Sequence, residues 1–507
     1  MPRDWEQEKA AVGPNACSLD PLMDAETTRF LFALARSPQS IEAQPPEPFV
    51  TVCRSLAIDE AKSLRPLRPI EAVLDALRFS HFGSKRWHVA VGRYYAAIFR
   101  LNEALDHLDR AARLPPPYEG ECLYAAYVLS AMGETEDARL VARQHAEQAQ
   151  SMAALLDCAR VLTDVGAHDL VLAEYGPRLL ELTNEFDAQQ LLGECYAASN
   201  DEQSADSYFK HAAALAAAQD LPLQHFWSEE KSARLWKSCR DRMTHRLRGP
   251  APRLAFCHIF KCAGSATHAS FQSSLGPVRT VDLYGYPHHY EPLWQGLTTG
   301  EANWLTHATY VYQHLAMPLR PPAFTGFDLT TILRHPADRF FSAFKFERNR
   351  LQPGDADTRL YDDFEKYMRV MVEERVNCEV MSRHLMAFAD QGMPDLLDPA
   401  AIHGTMPVFA DRSRAAEEVA RASLRFPFVG IQEHLPATMF CLAAALGLRW
   451  LPVLRRVNVS TPLRGETITR SARAYIERTN PLDYELYVTC RDRFESDFAD
   501  VAAYHES

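Results

Sequence analysis

The sequence has no excess of positive charge and no long apolar run, and these two absences exclude whole classes of protein. Its 54 Lys and Arg residues are outnumbered by 66 Asp and Glu residues, which gives a net charge of −12. Nucleic-acid binding through phosphate contacts needs a basic surface, so we expect no nucleic-acid partner, and any basic site must be local. No stretch approaches the roughly eighteen uninterrupted apolar residues that indicate a membrane helix, so we expect no membrane span.

The eleven cysteines form no recognisable framework. They are scattered, with no CxxC pair and no Cys/His spacing typical of zinc, so we predict neither a disulfide scaffold nor a metal site. Such cysteines fit a reducing compartment. The first residues, MPRDWEQEKAAVGPN, lack the apolar core of a secretory signal. We therefore expect a cytoplasmic protein.

What is present is a chain long enough for two or three domains, with 507 residues of which 47% are hydrophobic. Residues 1–84 hold helical patches separated by proline-rich spacers, and we assign this N-terminal region no function. A repeat covers 85–218, a linker is predicted for 219–252, and a second domain for 253–507.

The repeat in 85–218 has a period of 34 residues. One copy contains Gly92, Tyr95, Ala104, Leu108, Ala111 and Pro116, the next contains Ala126, Leu129, Ala138 and Ala142, and the last contains Gly193, Tyr196, Ala205, Phe209 and Ala212. A weaker copy covers about 153–185. This pattern resembles the tetratricopeptide repeat, in which small residues let paired helices approach, and it predicts an all-α solenoid. Recruitment of a protein partner and a purely architectural role both remain open.

The second domain begins with RLAFCHIFKCAGSATHASF, residues 253–271. An apolar run from Leu254 to Ile259 leads into Lys261 and then into small residues with helical character, which predicts a strand, a tight turn and a helix. Such a turn points unpaired backbone N–H groups at one place, and a lysine completes an anion site. A simple turn with a surface lysine is the alternative.

Three further strand-like runs end on polar residues. They are His307–Gln313 before His314, Phe327–Leu333 before Arg334, and Phe426–Ile431 before Gln432 and Glu433. In parallel α/β sheets ligands gather at the carboxyl ends of strands, so Lys261, His314, Arg334 and Glu433 are expected to share one crevice. Pro336 suits the first position of a helix.

Arg334 and Ser342 predict a second anion site. A guanidinium at a strand end and a hydroxyl in the first turns of the next helix can clamp one phosphate. The alternative pairs Arg334 with Asp338 or another acid near the helix start and leaves Ser342 as a packing residue. Two anion sites on neighbouring strand–helix units indicate a ligand with two separated phosphates.

These stretches resemble the sulfotransferases that use 3′-phosphoadenosine 5′-phosphosulfate (PAPS). HIFKCAGSAT is similar to their 5′-phosphosulfate loop, HIPKTGGTS, and TTILRHPADRFFSAF is similar to their 3′-phosphate motif. The later segments FPFVGIQEHLPATMF and NPLDYELYVTCRDRF resemble the heparan and uronyl 2-O- and 6-O-sulfotransferase group. The resemblance covers about 253–495. Phe260 and Cys262 depart from it, because they replace the usual proline and threonine.

The resemblance implies an α/β, P-loop-like sulfotransferase domain with a central parallel sheet. It implies PAPS as the cofactor, no metal, and a glycan or small hydroxyl compound as the acceptor. The cofactor would be bound by Arg334, Ser342 and the loop residues Lys261, Cys262, Ala263, Gly264, Ser265, Ala266 and Thr267. The loop is not a Walker A motif, because its lysine precedes the glycine, so an ATP-dependent kinase is disfavoured.

Transfer of a sulfuryl group to a hydroxyl requires a base. His314 is the predicted base, because the resembled glycan enzymes place a catalytic histidine between the two phosphate motifs, and Lys261 is predicted to assist the leaving phosphate. His288, His289 and His307 are rivals, and Glu433 is a fallback expected to be structural. A protein-directed sulfotransferase and a non-catalytic scaffold are the alternative functions.

Overall fold

The computed structural model describes Leu74 and the ranges 83–97, 100–114, 123–148, 151–249, 252–283, 305, 308–313, 326–349, 361–374, 378–389, 412–452 and 467–506. The chain divides into two compact units. Unit 1 comprises Met1–Tyr208 and Gly285–His307, and unit 2 comprises Phe209–Tyr284 and Ala308–Ser507. Apart from Leu74 and residues 83–84, the predicted N-terminal region lies outside the described residues.

The described part of unit 1 is helical, as predicted for 85–218. Its helices are α1 Lys85–Ala97, α2 Leu101–Arg113, α3 Tyr124–Ala131, α4 Thr135–Gln148, α5 Met152–Asp164, α6 His168–Leu170, α7 Gly176–Leu180, α8 Phe186–Ala198 and α9 Glu202–Ala218, whose last residues belong to unit 2. A π-helical segment, Val171–Tyr175, joins α6 to α7 in the weak third copy. Helices α1 to α5 pack on one another in chain order.

Small residues of the predicted repeat lie where these helices approach. Ala104, Ala126, Ala138 and Ala142 are fully buried. At Gly92 a Cβ atom would lie 2.9 Å from Cγ of Leu108, so only glycine allows α1 and α2 to come this close. These five small residues of the predicted repeat are therefore buried within the helical unit.

Unit 2 is built on a five-stranded parallel sheet. Its strands are β2 Leu254–Cys257, β3 Thr280–Leu283, β4 Tyr310–Gln313, β5 Asp328–Leu333 and β6 Phe428–Ile431, in the spatial order β3-β4-β2-β5-β6. The register pairs Cys257 with Gln313 and Leu333 with Ile431. Four of these strands were predicted, because a buried parallel strand has a continuous run of apolar residues in its sequence. The edge strand β3 was not.

The helices of unit 2 follow and cover these strands. They are α10 Glu230–Arg246, α11 Gly264–Arg279, α12 Pro336–Arg348, α13 Phe364–Glu373, α14 Val380–Ala389, α15 Arg412–Ser423, α16 Leu435–Ala445, α17 Arg470–Thr479, α18 Pro481–Asp497 and α19 Ala499–Glu506. Helix α11 bends at Gly276, whose φ is 75°. A short 3₁₀ helix, Gln432–His434, separates β6 from α16.

The segment 219–252, predicted as a linker, holds regular structure that belongs to unit 2. Strand β1, Leu223–His225, pairs antiparallel with β7, Trp450–Pro452. Helix α10 packs on α16 and α19, and the Trp236 indole N–H donates to the carbonyl of Leu448 at 2.8 Å. The guanidinium of Arg449 lies 3.7 Å from the centre of the Trp236 ring. Buried tryptophans therefore make this segment part of a core.

Within the described ranges, no helix is both long enough and apolar enough to cross a bilayer.

Candidate anion-binding site

The turn after β2 has the predicted form of strand, tight turn and helix. Strand β2 ends at Cys257 and α11 begins at Gly264. Two residues between them adopt left-handed backbone conformations, Lys261 with a φ of 67° and Ala263 with a φ of 62°. Non-glycine residues are uncommon in this region, and each costs on the order of 1 kcal/mol. The surrounding structure therefore holds the lysine at a fixed point of the turn.

A buried histidine, His258, packs against the turn. Nδ1 of His258 lies 2.7 Å from the hydroxyl of Tyr312 in β4, and the backbone N–H of His258 donates to the carbonyl of Gln313. A Cβ atom at Gly264 would lie 1.8 Å from Cδ2 of His258. The glycine of the predicted loop is required because the start of α11 presses directly on this ring.

The N-terminus of α11 has no side-chain cap within the described part of the chain, and its N-cap residue is Ala263. The first amides of an α-helix have no intrahelical acceptor, and a left-handed residue followed by a helical one points successive N–H groups into a common concavity. The amides of Gly264, Ser265 and Ala266 occupy these positions. They form a site suited to an oxyanion, which the helix dipole also favours.

Two predicted cofactor ligands are used inside the turn instead. The amide of Cys262 donates to the carbonyl of Ile259, and the residue is 1% exposed. Burial raises the pKa of the Cys262 thiol to about 12. Both the amide and the hydroxyl of Thr267 donate to the carbonyl of Ala263. These two residues therefore build the loop, and their polar groups are not presented to a ligand.

Arg334 reaches the turn from the neighbouring strand. It follows Leu333, the last residue of β5, and its Nη1 donates to the carbonyl of Lys261 at 3.4 Å. A second contact joins the same two strands, because the hydroxyl of Thr331 in β5 donates to the carbonyl of Cys257 in β2 at 2.7 Å. Burial lowers the pKa of Arg334. Among the described residues the contact with Lys261 is the only side-chain hydrogen bond of this guanidinium, which carries five N–H donors.

The Asp338 carboxylate acts electrostatically on Arg334 but does not accept a hydrogen bond from its guanidinium. The Asp338 carboxylate instead accepts two hydrogen bonds from Arg473 of α17, at 2.8 and 3.1 Å. Ser342 lies on α12, eight residues beyond Arg334, and is partly exposed. Arg334 and Ser342 thus remain the predicted clamp for a second phosphate.

Glu433 contacts the turn after β5. One of its carboxylate oxygens accepts the backbone N–H of His335 at 2.9 Å, and burial together with this carboxylate raises the pKa of Tyr487. Glu433 follows β6, so its bond to His335 ties the end of β6 to the end of β5. The structure thus brings Lys261, Arg334 and Glu433 to adjacent strand ends.

A buried group of charges behind the turn was missed by sequence reasoning. Arg339 of α12 is 1% exposed and acts electrostatically on Cys262. The Glu379 carboxylate accepts from the amides of Leu482 and Asp483 at the start of α18. Burial and the nearby Asp483 carboxylate raise the pKa of Glu379 to about 8. The Asn480-Pro481-Leu482-Asp483 string is a helix-start signal, but its partner lies about a hundred residues away.

The predicted base, His314, lies outside the described residues, as do His288, His289 and His307. His314 directly follows Gln313, the last residue of β4, which pairs with Cys257 at the end of β2. Among the described residues no group of three or more His, Cys, Asp and Glu side chains is arranged to hold a metal ion.

In comparisons with known proteins, no family model matches this chain and no curated protein matches it significantly.

Proposed function

We propose that unit 2 is a PAPS-dependent sulfotransferase that acts on a hydroxyl group of a glycan or small molecule. The observation that carries the proposal is the meeting of the two predicted anion motifs. Arg334 of the second motif contacts the backbone of Lys261 in the first. Two separate segments, each suited to a phosphate group, thus face the same edge of a parallel sheet, where ligands bind in folds of this kind.

In this proposal the uncapped N-terminus of α11 and Lys261 bind the 5′-phosphosulfate. Arg334 and Ser342 bind the 3′-phosphate. A bond forms between the acceptor oxygen and sulfur while the bond from sulfur to the 5′-phosphate oxygen breaks. The acceptor proton passes to a base, for which His314 remains our prediction. Positioned positive charge then stabilises the leaving phosphate, as in phosphoryl transfer.

The finer assignment of unit 1 is part of the proposal. Helix pairs whose small residues lie buried at the predicted positions support a tetratricopeptide-like solenoid. The stacked rings of Tyr196 and Tyr208, with centres 5.3 Å apart, support it at the last copy. Such a solenoid either recruits a polypeptide acceptor, which would make the enzyme protein-directed, or serves as architecture.

Calorimetric titration with 3′-phosphoadenosine 5′-phosphate, the product nucleotide, tests the proposal. We expect the protein to bind it in preference to 5′-AMP and ATP. Arg334→Ala should weaken binding by about 10- to 100-fold, because a hydrogen bond between charged groups contributes about 1.5–3 kcal/mol. Arg478→Ala, which removes an exposed arginine of α17, should leave the affinity unchanged. Absent binding, or equal binding of ATP, would leave the non-catalytic scaffold as the better account.

A further inference from the structure

The ammonium group of Lys261 rests on an aromatic surface. Its Nζ lies 3.6 Å from the centre of the Phe346 ring and 5.2 Å from the centre of the Phe260 ring. The two rings meet edge to face, with centres 5.6 Å apart and an interplanar angle of 77°. Cations are attracted to the negative face of such rings, most strongly when the pair is partly desolvated. All three residues are partly buried.

Both ends of the lysine are therefore held. Its backbone has a left-handed conformation, and its carbonyl accepts from Arg334. Its ammonium lies against Phe346, which is four residues after Ser342 in α12. Side chains four apart share one face of a helix, so the seat of the ammonium and the Ser342 hydroxyl lie on the same side of α12.

We propose that Phe260 and Phe346 form an aromatic seat that positions the Lys261 ammonium for an anionic ligand bound at the turn. The proposal rests on the proposed function, which supplies the ligand. A free lysine side chain loses much rotamer freedom when it binds an anion, and a lysine that is already seated loses less. The seat also gives a role to Phe260, which stands where the resembled loop has proline. That departure provides one of the two rings.

The first measurement is the affinity of the full chain for 3′-phosphoadenosine 5′-phosphate. Phe346→Leu keeps an apolar side chain but removes the π-face, and we expect about tenfold weaker binding, or about 1.4 kcal/mol. Phe346→Tyr restores an aromatic face and should restore the affinity to within about twofold of wild type.

Phe341→Leu is the matched control. Phe341 belongs to the same helix, and the ammonium of Lys345 lies 4.6 Å from the centre of its ring. This variant also loses an aromatic ring and a cation–π contact, but the lysine concerned is not in the turn. Its affinity should equal that of the wild type. Equal affinity in Phe346→Leu and wild type, or tighter binding in Phe346→Leu, would overturn the seat.

A second measurement is independent of nucleotide. Reductive ¹³C-methylation labels lysines and preserves their charge, and the Lys261 signal is assigned by its loss in Lys261→Arg. Ring currents should displace this signal from the position of free lysines, and Phe346→Leu should move it back. A Lys261 signal at the free position would overturn the seat even if nucleotide binds. A displaced signal in a protein that binds no nucleotide would overturn the proposed function and the ligand assigned to the seat.

Discussion

The turns after β2 and after β5 both lead from a parallel strand into a helix, but they are stabilised differently. The turn after β2, residues 258–263, depends on shape, because a buried histidine presses on Gly264 and two residues have positive φ. The turn after β5, residues 334–335, depends on polar contacts. His335 caps α12 by accepting the N–H of Ala337, and Glu433 accepts the N–H of His335.

The difference determines what each turn can offer a ligand. At α12 the first helical residue is proline, which has no N–H, and the next amide is already bonded to His335. At α11 the first amides have no side-chain cap among the described residues. An anion at the turn after β2 would therefore bind mainly to backbone. An anion at the turn after β5 has to bind to side chains, namely Arg334 and Ser342.

The largest expected effect follows from changing the shape of the first turn. Gly264→Ala would place a Cβ atom 1.8 Å from the His258 ring, and the backbone or the ring must move. We expect a loss of about 2–3 kcal/mol in the free energy of unfolding, measured by urea unfolding. Binding of 3′-phosphoadenosine 5′-phosphate should also be lost, because the first amides of α11 are displaced.

Gly326→Ala is the control for this substitution. A Cβ atom there would lie 3.6 Å from Nη1 of Arg253, which is an ordinary contact. Its free energy of unfolding should stay within about 0.5 kcal/mol of wild type. Equal losses in the two variants would mean that the close approach of Gly264 to His258 does not constrain the turn.

A smaller loss in the free energy of unfolding is expected when the hydrogen bond between Tyr312 and His258 is removed. Tyr312→Phe leaves Nδ1 of the buried His258 without its 2.7 Å partner, and we expect a loss of about 1–2 kcal/mol. Tyr487→Phe changes a hydroxyl close to the second turn. That loss should be smaller, because Glu433 keeps its bond to the N–H of His335. A larger loss for Tyr487→Phe would mean that the second turn depends on the Tyr487 hydroxyl more than the first turn depends on the Tyr312 hydroxyl.

The sequence predicts the strands and turns of unit 2 better than their supports. Buried parallel strands are continuous apolar runs, so β2, β4, β5 and β6 could be recognised, and Pro336 correctly indicated the start of α12. The edge strand β3 could not, because it follows α11 without a loop. Helix α10 was predicted as a linker because it carries many charges. The sequence does not show that its Trp236 is buried.

The contacts that shape the site are long-range, and no local signal encodes them. Arg473 and Asp338 are separated by 135 residues, and Glu433 and His335 by 98. The positive φ of Lys261 and Ala263 is likewise imposed by packing, because neither residue type favours it. The sequence could point to candidate anion-binding residues, but it could not indicate that the polar groups of Cys262 and Thr267 are used within the loop.

The smallest expected effect is a pH dependence confined to the second turn. Burial and Arg473 lower the pKa of His335 below its ordinary value of 6.5. The unfolded chain therefore binds this proton more tightly than the folded protein does. The contribution of His335 to the free energy of unfolding is complete above about pH 6.5 and is lost as the pH falls through the lower, folded pKa.

His335→Gln removes the titration, so the stability difference between wild type and variant should shrink as the pH falls from about 7.5 to about 5. Urea unfolding at several pH values measures this difference.

Gly264→Ala provides the contrast. The cost of a steric clash does not depend on protonation, so the stability loss of this variant should stay constant over the same pH range. If the two differences changed with pH in the same way, the two turns would not be stabilised by different forces. A constant difference for His335→Gln would show that His335 acts through packing against Tyr487, whose ring centre lies 5.3 Å away, rather than through its neutral charge state.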